Sequence, residues 1–326
     1  MKIFVVTGQT ATGKTKLAFN IAKKNKGDLI NCDSRQIYKY LDVVTGKDID
    51  KDWRFISIKK SGHFDIGYYQ KMTKTVAQKS INDFKNQLPD YPKIWLYDII
   101  TPNQSFSSYD YVQCANYVID YLLNQKKTPV IVGGSYFYLK HLLYGIETEK
   151  IPPDWNLRKN LARKKVKELQ KILLTIDPAT YQKLNHSDLN NPHRLIRKIE
   201  IASAKNQLPL KPSSRPQGLI FQKGYSIKIY GLRFKKKADL VSAIKKRIEQ
   251  RLAKGALNEA KKILNMGFQT SDSGLKTIGY QPLFAYLNHQ ISLKEAINRW
   301  QTAEVQYAKR QETFMKKDKN IIWRQL

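Results

Sequence analysis

Short apolar runs alternate with amphipathic stretches over the first 45 residues of the chain. Lys2–Val6 and Leu29–Cys32 are apolar runs of the length typical of buried strands. Between them, Lys14–Lys24 carries its apolar residues at helical spacing. A strand, a loop, a helix and a second strand in this order build a doubly wound parallel sheet. The pattern therefore predicts an α/β fold.

The alternation of strands and helices returns in two later parts of the chain. It predicts strands over 94–100, 129–132, 226–232 and 320–323. It predicts helices over 109–123 and 238–266, the second of which ends at Gly267 as its C-terminal cap. A further helix is expected to begin at residues 133–135 and to run through 143. Two more helices are expected before the final strand, and all these elements belong to one core.

Two segments interrupt this pattern. Residues 48–92 are polar and lysine-rich, with one clear helical stretch at Gln70–Phe84, which indicates an insertion at the edge of the core. Residues 146–214 are helical and strongly basic, which indicates a helical insertion domain. The predicted organisation is a core made of 1–145 and 215–326, with a separate helical domain between these two parts.

The net charge of the chain indicates which class of molecule it binds. The chain has 326 residues, 58 of them Lys or Arg and 27 Asp or Glu, for a formal net charge of +31. Hydrophobic residues make up 41% of the chain, which excludes a disordered basic tail protein. Such an excess of positive charge repels itself unless a polyanion is nearby, and nucleic acid is the leading candidate. A generally basic proteome, or a solvated surface without a partner, would also account for it.

Other features favour a cytoplasmic protein. No stretch reaches the ~18 uncharged apolar residues of a membrane span, and the N-terminal segment lacks the pattern of a signal peptide. Cys32 and Cys114 are too few for a disulfide framework, so both are expected to be small buried side chains. The five histidines have no metal-ligand spacing. We expect a monomer that does not associate with membranes.

A glycine-rich loop lies between the first strand and the first helix. Its sequence is Gly8-Gln9-Thr10-Ala11-Thr12-Gly13-Lys14-Thr15, which matches G-x-x-x-x-G-K-[ST] in the context that this motif requires. The backbone N–H groups of such a loop, the helix N-terminus and the lysine bind phosphate oxygens, and the threonine hydroxyl binds Mg²⁺. The loop predicts a P-loop NTPase-like core and a di- or triphosphate ligand, but it does not specify the reaction.

A carboxylate follows the second strand. Asp33 comes directly after Cys32, at the sheet edge that faces the ligand crevice in open α/β folds. There it could bind Mg²⁺, as in an ATPase or kinase, or act as a general base. Asp33 and Ser34 could equally cap the following helix, and the local sequence leaves this choice open.

Three further motifs are ambiguous when each is considered alone. Gly133–Tyr138 follows a buried strand and is compatible with a simple capped βα turn. Arg194 and Arg197 share one helix face, which is typical of a solvated basic surface. Arg247 and Arg251 lie one turn apart on a predicted core helix.

In combination and in this order, the motifs resemble those of the tRNA dimethylallyltransferases, also called tRNA isopentenyltransferases. After the glycine-rich loop, the matching pieces are Asp33–Tyr38, Asp42–Lys47, Gly133–Tyr138, Pro192–Arg197, Arg247–Arg251, Ile278–Gln281 and Lys309–Gln311. The resemblance covers nearly the whole chain. Each piece is modest, but eight of them in the same order are highly specific.

The resemblance implies transfer of a dimethylallyl group from dimethylallyl diphosphate to N6 of adenine 37 in tRNA. It implies that Asp33, Thr10 and Arg251 are catalytic, with Asp33 as the base for the attacking amine. The loop Gly8–Thr15 and Arg251 would bind the diphosphate, and Thr15 would hold a Mg²⁺. The target adenine would be flipped out of its stack.

The resemblance also implies residues that contact tRNA near the anticodon. They are Asp33, Ser34, Arg35, Gln36, Ser135, Arg158, His193, Arg194, Arg197, Lys276, Tyr280 and Gln281. The helical domain 146–214 would hold the anticodon stem through phosphate contacts.

The chain departs from the family pattern in three places. The segment 48–92 is longer than in most members, and the usual histidine before Asp98 is missing. Val241 stands where an arginine is frequent, which makes the diphosphate site less basic unless Lys237 or Lys245 replaces that charge.

Three other functions compete with this one: a P-loop kinase with a small acceptor, prenyl transfer to free adenylate, and a non-catalytic tRNA-binding protein. The basic helical domain argues against a small acceptor, since a mononucleotide needs no extended basic surface. The intact Lys14, Thr15 and Asp33 argue against a protein without catalysis.

Overall fold

The computed structural model describes residues 2–72, 91–146, 151–207 and 224–326. The chain forms two compact units, which we call the sheet unit and the helical unit. The sheet unit comprises Met1–Leu143 and Ile220–Leu326, and the helical unit comprises Tyr144–Leu219. Within the described ranges, no helix is both long enough and apolar enough to span a bilayer.

An eight-stranded sheet forms the centre of the sheet unit. Its strands are β1 Lys2–Gly8, β2 Gly27–Asn31, β3 Trp53–Ser61, β4 Phe64–Lys71, β5 Ile94–Trp95, β6 Thr128–Val132, β7 Ser226–Arg233 and β8 Ile321–Gln325. Their spatial order is β3-β4-β5-β2-β6-β1-β7-β8. The strands from β5 to β8 in this order pair in parallel, whereas β4 is antiparallel to β3 and to β5. The predicted α/β fold is confirmed, with a mixed rather than a purely parallel sheet.

The helices divide between the two units. In chain order they are α1 Lys14–Lys24, α2 Ser108–Asn124, α3 Tyr136–Tyr144, α4 Trp155–Leu161, α5 Val166–Ile176, α6 Pro178–Gln182, α7 His186–Leu189, α8 Pro192–Gln207, α9 Lys237–Ala253, α10 Ala256–Asn265, α11 Tyr280–Leu287 and α12 Leu293–Met315. The helices α4–α8 lie in the helical unit, and the others pack on the sheet unit. The strands β1, β2 and β6 are buried over almost their whole length, as expected for central parallel strands covered on both faces.

The polar segment 48–92 contributes a β-hairpin that its composition did not indicate. The strands β3 and β4 pair antiparallel, with Ser61 opposite Phe64. Gln70 and Lys71, predicted to start a helix, lie in β4. The prediction is wrong for these two residues because pairing with neighbouring strands overrides local helical spacing. Residues 73–84 of that predicted helix lie outside the described residues.

Two predicted elements are interrupted by backbone geometry. The strand predicted over 94–100 is only the short β5, since Leu96 and Asp98 have positive φ angles of 65° and 58°. The helix predicted over 238–266 is two helices, α9 and α10, because Gly255 adopts a left-handed conformation with φ of 95° between them.

The helical unit has its own hydrophobic core, formed by buried residues of α4, α5 and α8. Its first two helices are separated by a short connection, since α4 ends at Leu161 and α5 begins at Val166. Glu168 caps the start of α5 by accepting a hydrogen bond from the N–H of Lys165 at 2.7 Å.

Both cysteines are buried, as predicted. Burial raises the pKa of the Cys32 thiol and of the Cys114 thiol to about 12, so neither forms a thiolate at neutral pH.

Candidate active site

A cavity of about 1270 Å³ opens within the sheet unit. The loops that follow β1 and β2 and the turn after β6 line it, together with side chains of α9 and α12. These loops leave the carboxyl ends of three adjacent parallel strands, which is where ligands bind in open α/β sheets. The cavity is therefore the candidate active site.

The glycine-rich loop Gly8–Thr15 forms one wall of the cavity. Gly13 directly precedes α1 and adopts a left-handed conformation with φ of 74°. The hydroxyl of Thr12 donates a hydrogen bond to the carbonyl of Gln9 at 2.7 Å, and Lys14 Nζ donates to the same oxygen at 2.6 Å. This loop is closed on itself and presents its lysine to the cavity.

Lys14 is held in an environment that disfavours its charge. Burial and the nearby Arg247 guanidinium lower its pKa to about 8, although Asp33 opposes the shift. An anion bound in the loop would favour the protonated lysine. The site is thus suited to a negatively charged ligand.

Asp33 caps a turn and also lines the cavity. Its Oδ1 accepts the N–H of Arg35 at 2.9 Å, and its own N–H donates to Asn31 Oδ1 at 3.0 Å. Residues 34–37 form a turn rather than a helix. The Oδ2 atom of Asp33 accepts no hydrogen bond from the described part of the chain. The capping role and a chemical role are therefore compatible.

The residues that follow Asp33 connect three loops of the site. Ser34 donates its backbone N–H to Ser135 Oγ at 2.9 Å, which joins the loop after β2 to the turn after β6. Gln36 Nε2 donates to the carbonyl of Gly46 at 2.9 Å. Arg35 is exposed and lines the cavity.

Two arginines of α9 enter the cavity with a buried glutamate of α12. Arg251 Nη1 donates to Glu304 Oε1 at 2.9 Å, and Arg247 donates to the hydroxyl of Thr10. Burial favours the neutral form of Glu304, but Arg247 and Arg251 outweigh burial and lower its pKa. Gln311 Oε1 accepts the N–H of Thr10 at 2.9 Å. The arginines are therefore fixed against the glycine-rich loop.

The two lysines considered as substitutes for an arginine at Val241 do not reach the cavity. Lys246 lines the cavity, whereas Lys237 and Lys245 are not among its lining residues. Lys246 lies three residues after Ala243 and four before Gln250, which also line the cavity, so it shares their face of α9.

The segment 42–47 is held over Arg251 by a second glutamate. Glu259 accepts the backbone N–H groups of residues 42–44 at 2.7–2.9 Å and the hydroxyl of Tyr280 at 2.6 Å. The carbonyl of Thr45 then accepts Arg251 Nη2 at 3.1 Å. Gly46 has φ of 68°, and a Cβ there would collide with the Arg251 guanidinium, so this position requires glycine.

Tyr280 has a different position from the one its predicted role requires. It was predicted to contact tRNA, but its ring is fully buried. Its hydroxyl binds Glu259, so it supports the 42–47 segment and offers no surface to RNA. The predicted tRNA contact of Tyr280 is therefore replaced by a structural role beside Glu259.

The inserted hairpin also reaches the site. Lys47 Nζ donates to Asp42 Oδ1 at 2.6 Å, to the carbonyl of Tyr38 at 2.8 Å and to Asp98. The hydroxyl of Tyr69, from β4, donates to the other oxygen of Asp98. Burial raises the pKa of Asp98, although Lys47 opposes the shift. The hairpin therefore helps to satisfy a buried ion pair beneath the site.

Comparison with known protein families gives the decisive observation. The family model described as IPP transferase matches residues 90–318 of this chain. The chain belongs to the IPP transferase family. A tRNA dimethylallyltransferase of Endomicrobium trichonymphae is 32% identical over 323 residues, covering 98% of this chain and 94% of that protein. One from Acetivibrio thermocellus is 31% identical over 327 residues, covering 98% and 90%.

Solved structures of this family share the fold. The full-length tRNA isopentenylpyrophosphate transferase of Bacillus halodurans superposes with a TM-score of 0.61 at 25% identity, covering 99% of this chain and 89% of that one. A eukaryotic dimethylallyltransferase acting on tRNA superposes with a TM-score of 0.69 at 19% identity, covering 99% and 73%, which supports the fold alone.

The other residues implied to contact tRNA divide between the two units of this family member. In the sheet unit, Lys276 is exposed and lines the cavity, whereas Gln281 Nε2 donates to the carbonyl of Leu275 at 2.9 Å and braces the turn before α11. In the helical unit, His193 is exposed, and Arg194 is bound to Asp188. Arg158 and Arg197 both bind Glu200.

Four of the site residues described above were assigned no role from the sequence. Arg247 begins one of the matching motifs, which was a usable signal. Gln311 ends the Lys309–Gln311 motif, so its place in the sequence pattern was a usable signal. Glu304 and Glu259 belong to no motif, and only their burial beside arginine or backbone N–H groups identifies them.

Proposed function

We propose that this protein transfers a dimethylallyl group from dimethylallyl diphosphate to N6 of adenine 37 in tRNA. The observation that carries the proposal is one cavity in which the glycine-rich loop, Asp33, Arg247 and Arg251 all meet. Similarity to tRNA dimethylallyltransferases over 98% of the chain supports the same activity. The cavity of about 1270 Å³ is larger than the ~300–1,000 Å³ of most small-molecule sites, which suits a prenyl donor together with an RNA base.

The basic side of the cavity would bind the diphosphate. The loop N–H groups, Lys14, Arg247 and Arg251 supply positive charge at one wall. As the C1–O bond of the donor breaks, its electron pair moves to the diphosphate, and these groups stabilise that charge. Glu304 and Thr45 keep the Arg251 guanidinium in place for this step.

Asp33 would act on the acceptor. The N6 amine forms its new bond to C1 of the dimethylallyl group and must lose one proton. The Asp33 carboxylate lines the cavity, with Oδ1 fixed by the N–H of Arg35 and Oδ2 available to accept that proton. The products are the prenylated adenine, diphosphate and one proton, which Asp33 passes to solvent.

The donor set fits a Mg²⁺ held mainly by the substrate. The described residues contain no group of three or more His, Cys, Asp or Glu side chains arranged for a metal. Mg²⁺ commonly uses one or two protein ligands together with substrate phosphates and waters, and Thr15, at the end of the loop, is among the residues that line the cavity. When bound, the ion would neutralise charge on the leaving diphosphate.

The helical unit would hold the RNA backbone. Its exposed cations include Arg163, Lys164 and Lys165 between α4 and α5, and Lys167 and Lys171 on α5. Each phosphate that such side chains neutralise releases counterions, so RNA affinity should fall steeply with salt.

The test is prenylation of unmodified tRNA. The protein is incubated with tRNA, Mg²⁺ and dimethylallyl diphosphate, and the nucleosides are analysed by mass spectrometry. Asp33→Asn should abolish turnover and preserve RNA affinity, whereas the exposed Asp239→Asn on α9 should match the wild type. Wild-type protein that forms no prenylated adenosine, but phosphorylates a small acceptor with ATP, would show that the proposal is wrong.

A further inference from the structure

Two exposed aromatic side chains lie on α12, which lines the cavity, and on α3, which follows the cavity-lining turn after β6. Phe137 of α3 is 61% exposed and Phe314 of α12 is 60% exposed, the highest values for large hydrophobic side chains in the described ranges. Single exposed apolar residues are common, so their neighbours decide whether these two have a role.

Phe314 continues the cavity-lining face of α12. Tyr307 and Arg310 line the cavity. Phe314 follows them by seven and four residues, and helical residues at this spacing share one face. The ring therefore lies one turn beyond the cavity lining, at its rim.

Hydrogen bonds fix α3 and α12 to each other at the same rim. Gln311 Nε2 donates to the carbonyl of Gly134 at 3.0 Å, and the Tyr136 hydroxyl donates to Asp318 Oδ2 at 2.8 Å. Each exposed phenylalanine lies within three residues of one of these contacts. The start of α3, which carries Phe137, and the end of α12, which carries Phe314, are thus held next to each other.

Positive side chains accompany both rings. Lys140 shares the exposed face of α3 with Phe137, and Arg310 and Lys317 flank Phe314 in sequence; all three cations are exposed. Aromatic rings among cations are the surface that binds unpaired bases by stacking and phosphates by charge. A protein-binding surface would instead be depleted in lysine.

We propose that Phe137 and Phe314, with Lys140, Arg310 and Lys317, form a stacking surface for the unpaired RNA bases that flank the target adenine. The proposal rests on the function proposed above. Flipping the target base removes a stacking partner from its neighbours. Rings at the cavity rim replace that partner and so lower the cost of flipping.

The first test measures affinity for the anticodon stem-loop RNA. Phe137→Ala and Phe314→Ala should each weaken binding about tenfold, since one base–aromatic stack contributes on this scale. Phe314→Trp should retain affinity, and Ile322→Ala, a substitution of a 54% exposed side chain on β8, should have no effect. Pyrophosphate affinity should stay unchanged in all variants, which reports an intact glycine-rich loop.

The second test uses RNA with abasic nucleotides on both sides of the target. The wild type should bind the abasic RNA about tenfold more weakly than intact RNA. Phe314→Ala should bind the abasic RNA almost as well as the wild type does, because the stacked bases are already absent. If the abasic nucleotides lower the RNA affinity of the wild type and of Phe314→Ala by the same factor, the stacking surface is wrong. It is also wrong if neither alanine variant changes the affinity for intact RNA. If the wild type fails to prenylate while the affinity differences hold, the proposed reaction is wrong and the surface stands.

Discussion

Two buried glutamates, one in each unit, hold arginines in different ways. In the sheet unit, Glu304 accepts a hydrogen bond from Arg251 at 2.9 Å. In the helical unit, Glu200 accepts two hydrogen bonds from Arg158, at 2.8 and 2.7 Å, and one from Arg197. The residue types, the burial of the carboxylates and the bonding chemistry are alike in the two units.

The difference lies in what else the arginines contact. Arg251 is buried, lines the cavity and also binds the carbonyl of Thr45, so its ion pair fixes a cation within a site. Arg197 binds the carbonyl of Ile151, and Glu200 also accepts the N–H of Asp154, so this ion pair joins the start of the helical unit to α8. The same arrangement thus fixes a cation in the cavity of one unit and joins two chain segments in the other.

The largest expected effect comes from removing the arginine in the sheet unit. Arg251→Ala should lower kcat/KM for dimethylallyl diphosphate about 10²- to 10³-fold, the scale for loss of a fixed donor to a charged transition state. Arg158→Ala, its counterpart in the helical unit, should leave pyrophosphate affinity unchanged. Steady-state kinetics and calorimetry measure the two quantities. Similar losses of pyrophosphate affinity in both variants would remove the distinction between the units.

Removing the charge of the glutamate in the helical unit should affect stability. Glu200→Gln leaves Arg158 and Arg197 without a full partner and should destabilise the unit by about 1–3 kcal/mol. Urea unfolding followed by circular dichroism measures this. Unchanged stability together with weakened pyrophosphate binding would assign Glu200 to the site rather than to the architecture.

The response to pH should come from the sheet unit, through Lys14. Its pKa of about 8 in the free protein should rise when an anion binds, so binding takes up a proton above pH 8. Pyrophosphate affinity contributed by this lysine is therefore full below pH 8 and falls up to about tenfold per pH unit above it. In Lys14→Arg this decline of affinity above pH 8 should disappear, and the remaining pH dependence should come from the ionisation of pyrophosphate alone. Identical calorimetric pH profiles for wild type and variant would contradict the assignment.

The smallest expected effect tests the corrected role of Tyr280. Tyr280→Phe removes one hydrogen bond to Glu259 and should destabilise the sheet unit by about 1 kcal/mol without changing RNA affinity. Tyr286→Phe, on the same helix α11, serves as the control. A selective loss of RNA affinity in Tyr280→Phe would restore the original prediction of a tRNA contact.

Local patterns predicted much of the fold. The strand β1, the glycine-rich loop and α1 follow from short-range constraints, since apolar periodicity and left-handed glycines act within a few residues. The hairpin of β3 and β4 could not be predicted this way, because its strands are defined by pairing with each other and with β5. The division of 238–266 at Gly255 was missed because the apolar spacing continues across the break.

The sequence by itself determined the glycine-rich loop, the carboxylate at the end of β2 and the positive charge that predicts a nucleic acid partner. These depend on residue types at fixed short spacings, which the chain carries wherever it folds. Only the tertiary structure decided that Glu304 and Glu259 secure Arg251 and that Tyr280 faces inward. Those assignments depend on which distant side chains share a buried volume, because a carboxylate out of water must find its partners there.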